Sequence, residues 1–141
     1  MKAVILASHG QMASGALESA QMILGDQENC DSFCVTVDMD LDKAKRVFKE
    51  KTEKLDLSEG LVILVDIFGG TPCNVASAYL LEHPDTLLIS GMNLPMILTL
   101  FTKRDASFDE IDEALSNAYT MGFTNINKKF GEDKDDGSED L

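Results

Sequence analysis

The chain predicts an α/β fold: an open parallel sheet of strand order 2-1-3-4 with helices on both faces. Three observations predict it. Apolar segments of strand length alternate with segments of helical period along most of the chain. The runs Ala3-Val4-Ile5-Leu6-Ala7 and Leu61-Val62-Ile63-Leu64-Val65 are apolar without alternation, as strands covered on both faces are. Each run stops abruptly, the first at Ser8-His9-Gly10 and the second at Asp66-Ile67-Phe68-Gly69-Gly70-Thr71-Pro72. Right-handed crossovers joining strands in this order most simply give the arrangement 2-1-3-4.

The first strand covers Ala3 to Ser8. A helix follows from about Gln11 to Leu24, where Ala13, Ala16, Leu17, Ala20, Ile23 and Leu24 recur three and four apart and Gly25 closes it. The second strand is read as Ser32 to Val37. The second helix, about Leu41 to Leu55, puts Leu41, Ala44, Phe48 and Leu55 on one side and Lys and Glu on the other. Leu61 to Val65 is the third strand. The third helix starts at Pro72 with Thr71 as N-cap, a favoured place for proline.

Thr86 to Ser90 forms the fourth strand, and a short helix runs from about Pro95 to Phe101 after Gly91-Met92-Asn93. Ser107-Phe108-Asp109-Glu110 has capping-box spacing, which places a last helix over Phe108 to Met121 with Ile111, Ala114, Leu115 and Ala118 inward. Phe123 to Asn127 is read as a short terminal strand. Gly131 to Leu141, rich in acids, is read as a disordered tail beyond a domain of residues 1–130.

Composition excludes several classes of function. A chain of 141 residues with 44% hydrophobic and 26% charged residues is one globular domain with a real core. With no Trp and 6% aromatics it lacks a stacking platform for single-stranded nucleic acid. A net charge of −13 repels nucleic-acid backbones and anionic lipid. Lys43, Lys45, Arg46, Lys49, Lys51 and Lys54 are interleaved with acids and form no basic patch. Cys30, Cys34 and Cys73 lack Cys-x-x-Cys spacing, and no signal peptide precedes them, so they read as reduced thiols in a cytoplasmic protein. Two histidines and three scattered cysteines make no metal-ligand cluster. The stretch from Thr86 to Leu100 is too short for a transmembrane helix and contains Asn93 and Pro95.

The chemistry gathers at one edge of the predicted sheet. The topological switch point lies between the first and third strands, where open α/β sheets bind ligands. Their carboxyl ends carry His9 and Asp66. A neutral imidazole can attack phosphorus with one nitrogen while a carboxylate holds the proton on the other. Gly10 allows close approach of a ligand to the backbone. Gly69, Gly70 and Thr71, ahead of a helix, can cradle a phosphoryl group with backbone N–H groups and a hydroxyl. The run is neither a P-loop nor G-x-G-x-x-G.

Each residue also has a plainer reading: His9 and Asp66 as strand ends, Gly69-Gly70 as a tight turn, Phe68 as a loop aromatic packed on the core. Phe68 and Asn93 are candidates for partner docking, although Asn also caps helices. His83 is assigned to surface structure.

At these residues the chain resembles the IIA component of mannose-type sugar phosphotransferase systems. Three blocks carry the likeness: Ser8-His9-Gly10, Asp66-x-x-Gly69-Gly70-Thr71-Pro72-x-Asn74, and Gly91-Met92-Asn93-Leu94-Pro95-Met96. The resemblance implies that His9 matches the phosphorylated histidine, Asp66 the aspartate bonded to it, and Thr71 a hydroxyl residue near the phosphoryl group. It implies HPr as phosphoryl donor and a IIB protein as acceptor, feeding membrane IIC and IID subunits. It further implies a cytoplasmic homodimer that exchanges a C-terminal strand, here Phe123 to Asn127, and no metal or organic cofactor. Phe68 stands where some members have Trp, and the acidic tail stands where others continue into a fused IIB domain, so a separate IIB chain is expected. The alternatives are a phosphoryl carrier for a dihydroxyacetone kinase, a phosphorylation-dependent regulatory domain, and a flavodoxin-like module binding a small anion.

Overall fold

The computed structural model describes residues 1–135. Its strands are β1 (Ala3–His9), β2 (Cys30–Val35), β3 (Leu61–Val65) and β4 (Thr86–Ser90). Its helices are α1 (Met12–Leu24), α2 (Leu41–Glu53), α3 (Gly70–Glu82), α4 (Leu94–Thr102), α5 (Phe108–Met121) and α6 (Ile126–Asp135). The strands pair in parallel in the order β2-β1-β3-β4. Because every pair is parallel, His9, Asp66 and Asn93 all emerge at one carboxyl edge.

The continuous apolar runs are explained by two cores, one on each face of the sheet. Ala3, Ile5, Ala7, Ile63 and Val65 pack with Phe48 of α2 and Val75 and Ala76 of α3. Val4, Leu6, Val62 and Leu64 pack with Ala13 and Ala20 of α1, Met96 and Ile97 of α4, and Ile111 and Leu115 of α5. Residues alternate between the two cores along β1, so every side chain from Ala3 to Ser8 is buried. Among the described residues no helix is long and apolar enough to cross a membrane.

Several boundaries depart from expectation. β2 begins and ends two residues early. Its ladder with β1 runs from Val4↔Cys30 to His9↔Val35, and Thr36 then opens a turn with its hydroxyl on Asp38. Helix α3 begins at Gly70, not Pro72, with Gly69 rather than Thr71 as N-cap. Proline is tolerated there because first-turn N–H groups have no partner within the helix.

No terminal strand forms over Phe123 to Asn127. Asn125 instead accepts the Lys128 N–H on its side chain and the Lys129 N–H on its carbonyl, and a helix starts at Ile126. The expected tail is also corrected in part, since Gly131 to Asp135 continue α6. Residues 136–141 of that tail lie outside the described residues.

Candidate functional site

β1 delivers His9 and β3 delivers Asp66, residues 57 apart in sequence and in contact in space. His9 Nδ1 lies 2.8 Å from Asp66 Oδ2, and the backbone N–H of His9 donates to the same oxygen at 2.8 Å. The other oxygen of Asp66 accepts the N–H of Ile67 at 2.9 Å. The carboxylate thus holds both the backbone and the ring of the histidine. Burial alone would raise the Asp66 carboxyl, but the His9 backbone N–H, the His9 ring and the Ile67 N–H together hold it below the ordinary carboxylate range. The Asp66 side chain is 9% exposed and that of His9 is 50% exposed, so the carboxylate is sheltered while the ring meets solvent.

The other ring nitrogen faces the start of α3. A Cβ built on Gly70 would stand 3.0 Å from His9 Nε2 and 2.9 Å from Cε1, and Gly70 has φ +83°. Only glycine lets the helix N-terminus come this close to the ring. With Nδ1 committed to Asp66, Nε2 is the free nitrogen, placed beside first-turn N–H groups that favour an anion. Among the described residues no group of three or more His, Cys, Asp or Glu could hold a metal ion. The arrangement supplies one oriented nucleophilic nitrogen and an anion-favouring cradle.

A family model described as "PTS system fructose IIA component" matches residues 3–119. The chain belongs to this family of phosphotransferase-system IIA components.

Relatives agree. The chain is 32% identical over 111 residues to the mannose-specific EIIAB component of Escherichia coli K12, covering 77% of this chain and 34% of that protein. It therefore spans about a third of the length of that relative. It is 33% identical over 96 residues to the sorbose-specific EIIA component of Klebsiella pneumoniae, covering 68% of this chain and 70% of the relative. A mannose/sorbose-specific IIA subunit from Enterococcus faecalis superposes with a TM-score of 0.80 at 28% identity, over 89% of this chain and 95% of that one. The chain is accordingly a mannose-family IIA component of the phosphotransferase system.

Within this IIA chain the remaining sequence candidates fall as follows. Gly10 follows His9 with φ +60° and bonds its N–H to the Val35 carbonyl at 2.8 Å. Gly69 is the N-cap of α3 and Thr71 lies in its first turn. Phe68 is 88% exposed rather than packed on the core. Asn93 caps α4, its side-chain oxygen accepting the Met96 N–H at 2.9 Å. His83 lies away from the site, stacked on Tyr79 with ring centroids 3.9 Å apart.

Sequence reasoning passed over two residues. Ser8 is wholly buried beside His9, with its hydroxyl in the β1–α1 turn. A polar residue closing an otherwise apolar strand was the available signal. Arg104 is buried at the opposite edge and donates to the carbonyls of Lys2, Glu28 and Asn29. A lone arginine in a surface-like stretch carries no signal of that kind.

Proposed function

We propose that this IIA component carries a phosphoryl group on His9 Nε2, taken from phospho-HPr and passed to a IIB protein in a cytoplasmic relay. The observation that carries this reading is the 2.8 Å contact of His9 Nδ1 with Asp66, which leaves Nε2 free beside Gly70. Residues 1–130 are read as the carrier domain.

The chemistry follows from the geometry. His9 enters neutral, with its proton on Nδ1 held toward Asp66. The Nε2 lone pair forms a bond to phosphorus as the bond from phosphorus to the donor's ring nitrogen breaks. The donor ring leaves neutral, taking back that electron pair and keeping the proton on its other nitrogen. His9 becomes a phosphorylated imidazolium whose positive charge faces the Asp66 carboxylate. Imidazole replaces imidazole, so protons and charge balance and the step is reversible. The protein contributes position and N–H donors for the phosphoryl oxygens, those of Gly69, Gly70 and Thr71 at the start of α3, while the Gly10 N–H stays on the Val35 carbonyl.

Phe68, exposed beside the site, is read as a docking contact for the protein partners. Asn93 is at the same edge, with its side-chain oxygen committed to α4. A homodimer is read from the exposed apolar residues Tyr119, Phe123, Ile126 and Phe130 on and between α5 and α6, and membrane IIC and IID subunits would be met only through IIB.

The experiment is phosphoryl uptake from phosphoenolpyruvate through purified enzyme I and HPr, followed by intact mass. Wild type should gain one acid-labile phosphoryl group, and His9→Gln none, with its melting temperature unchanged. No uptake by folded wild type would refute the reading.

A further inference from the structure

We propose that Ser8 is a positioning residue for phosphoryl transfer at His9; the inference rests on the carrier reading above. Ser8 is polar yet fully buried. Its hydroxyl donates to the Gly10 carbonyl at 3.0 Å and accepts the Ala13 N–H at 2.7 Å. Ala13 is the second residue of α1, so its N–H has no partner within the helix. Gln11 occupies the N-cap position but makes no side-chain cap bond. Ser8 supplies that cap from upstream, and the same hydroxyl ties down the peptide that follows Gly10.

The consequence lies in how the ring is held. Nδ1 is anchored on Asp66, but a single anchor lets the ring pivot and Nε2 swing about it. A fixed backbone removes that freedom. The His9 N–H is held by Asp66, the Gly10 N–H by the Val35 carbonyl, and the Gly10 carbonyl by Ser8. Between these ties the ring has one place to sit, against Gly70. Without the hydroxyl, the Ala13 N–H and the Gly10 carbonyl lose a partner and the turn must shift to find others. Shifts of about 1 Å at a reacting atom cost on the order of 100-fold in rate.

Three variants test this. Ser8→Ala removes the hydroxyl and Ser8→Thr keeps it. Ala20→Gly loosens the same helix roughly two turns away, at a buried position remote from the histidine. Single-turnover transfer from phospho-HPr is measured against donor concentration, with thermal melts alongside.

Ser8→Ala should lower the saturating rate on the order of 10- to 100-fold, with half-saturation unchanged. Ser8→Thr should restore most of the rate, and Ala20→Gly should melt lower yet transfer normally. A wild-type saturating rate in Ser8→Ala, or an equal loss in Ala20→Gly, overturns the proposal. Should Ser8→Ala fail to fold, Ser8→Cys, with its weaker hydrogen bonds, is judged by the same criteria.

Nitrogen NMR of the His9 ring separates this proposal from the carrier reading. If wild type takes up no phosphoryl group, the carrier reading fails by itself. Positioning then stands if Ser8→Ala converts a single Nδ1–H tautomer into an averaged mixture, and falls if the spectrum is unchanged.

Discussion

Asp66 shows how a single carboxylate can couple stability to chemistry. Its depressed pKa means that the folded state favours the charged form, so its stabilisation is complete above the ordinary carboxylate value of about 3.9. That stabilisation is lost as pH falls through the lower folded value. Asp66→Asn turns an amide N–H toward donors that need an acceptor, and should cost about 1–3 kcal/mol at neutral pH. Melts across a pH series should show the gap between wild type and variant closing below about pH 3.9. A gap of constant size down to acid would contradict this assignment. The same variant should slow phosphoryl transfer by roughly 100-fold, through loss of the charge facing the imidazolium.

Two glycines make a contrasting pair at the same scale. Gly70→Ala would set a methyl 2.9 Å from the His9 ring at a residue with φ +83°. Phosphoryl uptake by intact mass should be lost, with a cost of about 1–2 kcal/mol in the melt. Gly15 lies inside α1 with nothing within 4 Å of its added Cβ. Gly15→Ala should therefore stabilise by about 0.5–1 kcal/mol and leave uptake unchanged.

At the scale of elements, caps and edges decide what local propensity leaves open. The Ser107 cap of α5 was legible because serine and glutamate three apart form a local signature, and the Ser107 hydroxyl does accept the Glu110 N–H. Asn93 was ambiguous, since its position fits either a cap or a contact. In the fold it caps α4, and Asn93→Ala should cost about 1 kcal/mol by thermal melt.

Arg104 has no local signature at all. Its three carbonyl partners lie 75 to 102 residues away, and they join the start of β1 to the approach to β2. Arg104→Met would take the guanidinium from the Lys2 and Glu28 carbonyls, with the Asn29 carbonyl keeping the Val4 N–H, and should cost about 3 kcal/mol, the largest loss expected away from the site. A melt within about 1 kcal/mol of wild type would show that water replaces the guanidinium.

At the scale of the molecule, the described chain leaves large apolar side chains uncovered after the core has closed. Tyr119 near the end of α5, Phe123 in the link that follows, and Ile126 and Phe130 of α6 are all more than half exposed. On the homodimer reading, sedimentation velocity should show a dimer for wild type and a monomer for the double variant Phe123→Asp, Ile126→Asp. A wild-type monomer at micromolar concentration would dispose of the dimer. The strand expected at Phe123 to Asn127 illustrates why this region was hard to read. A few apolar residues fit either period, and the choice fell to Asn125 capping the following turn.

The sequence by itself determined the class of fold, the strand order and the meeting of His9 with Asp66. Those follow from short-range periodicity and from the few topologies that right-handed crossovers allow. Only the tertiary structure decided the register of β2, the seating of Gly70 against the His9 ring and the burial of Arg104. The physical reason is distance along the chain. Periodicity is written within a few residues, whereas the Arg104 bonds, spanning 75 to 102 residues, exist only once the sheet has brought its ends together.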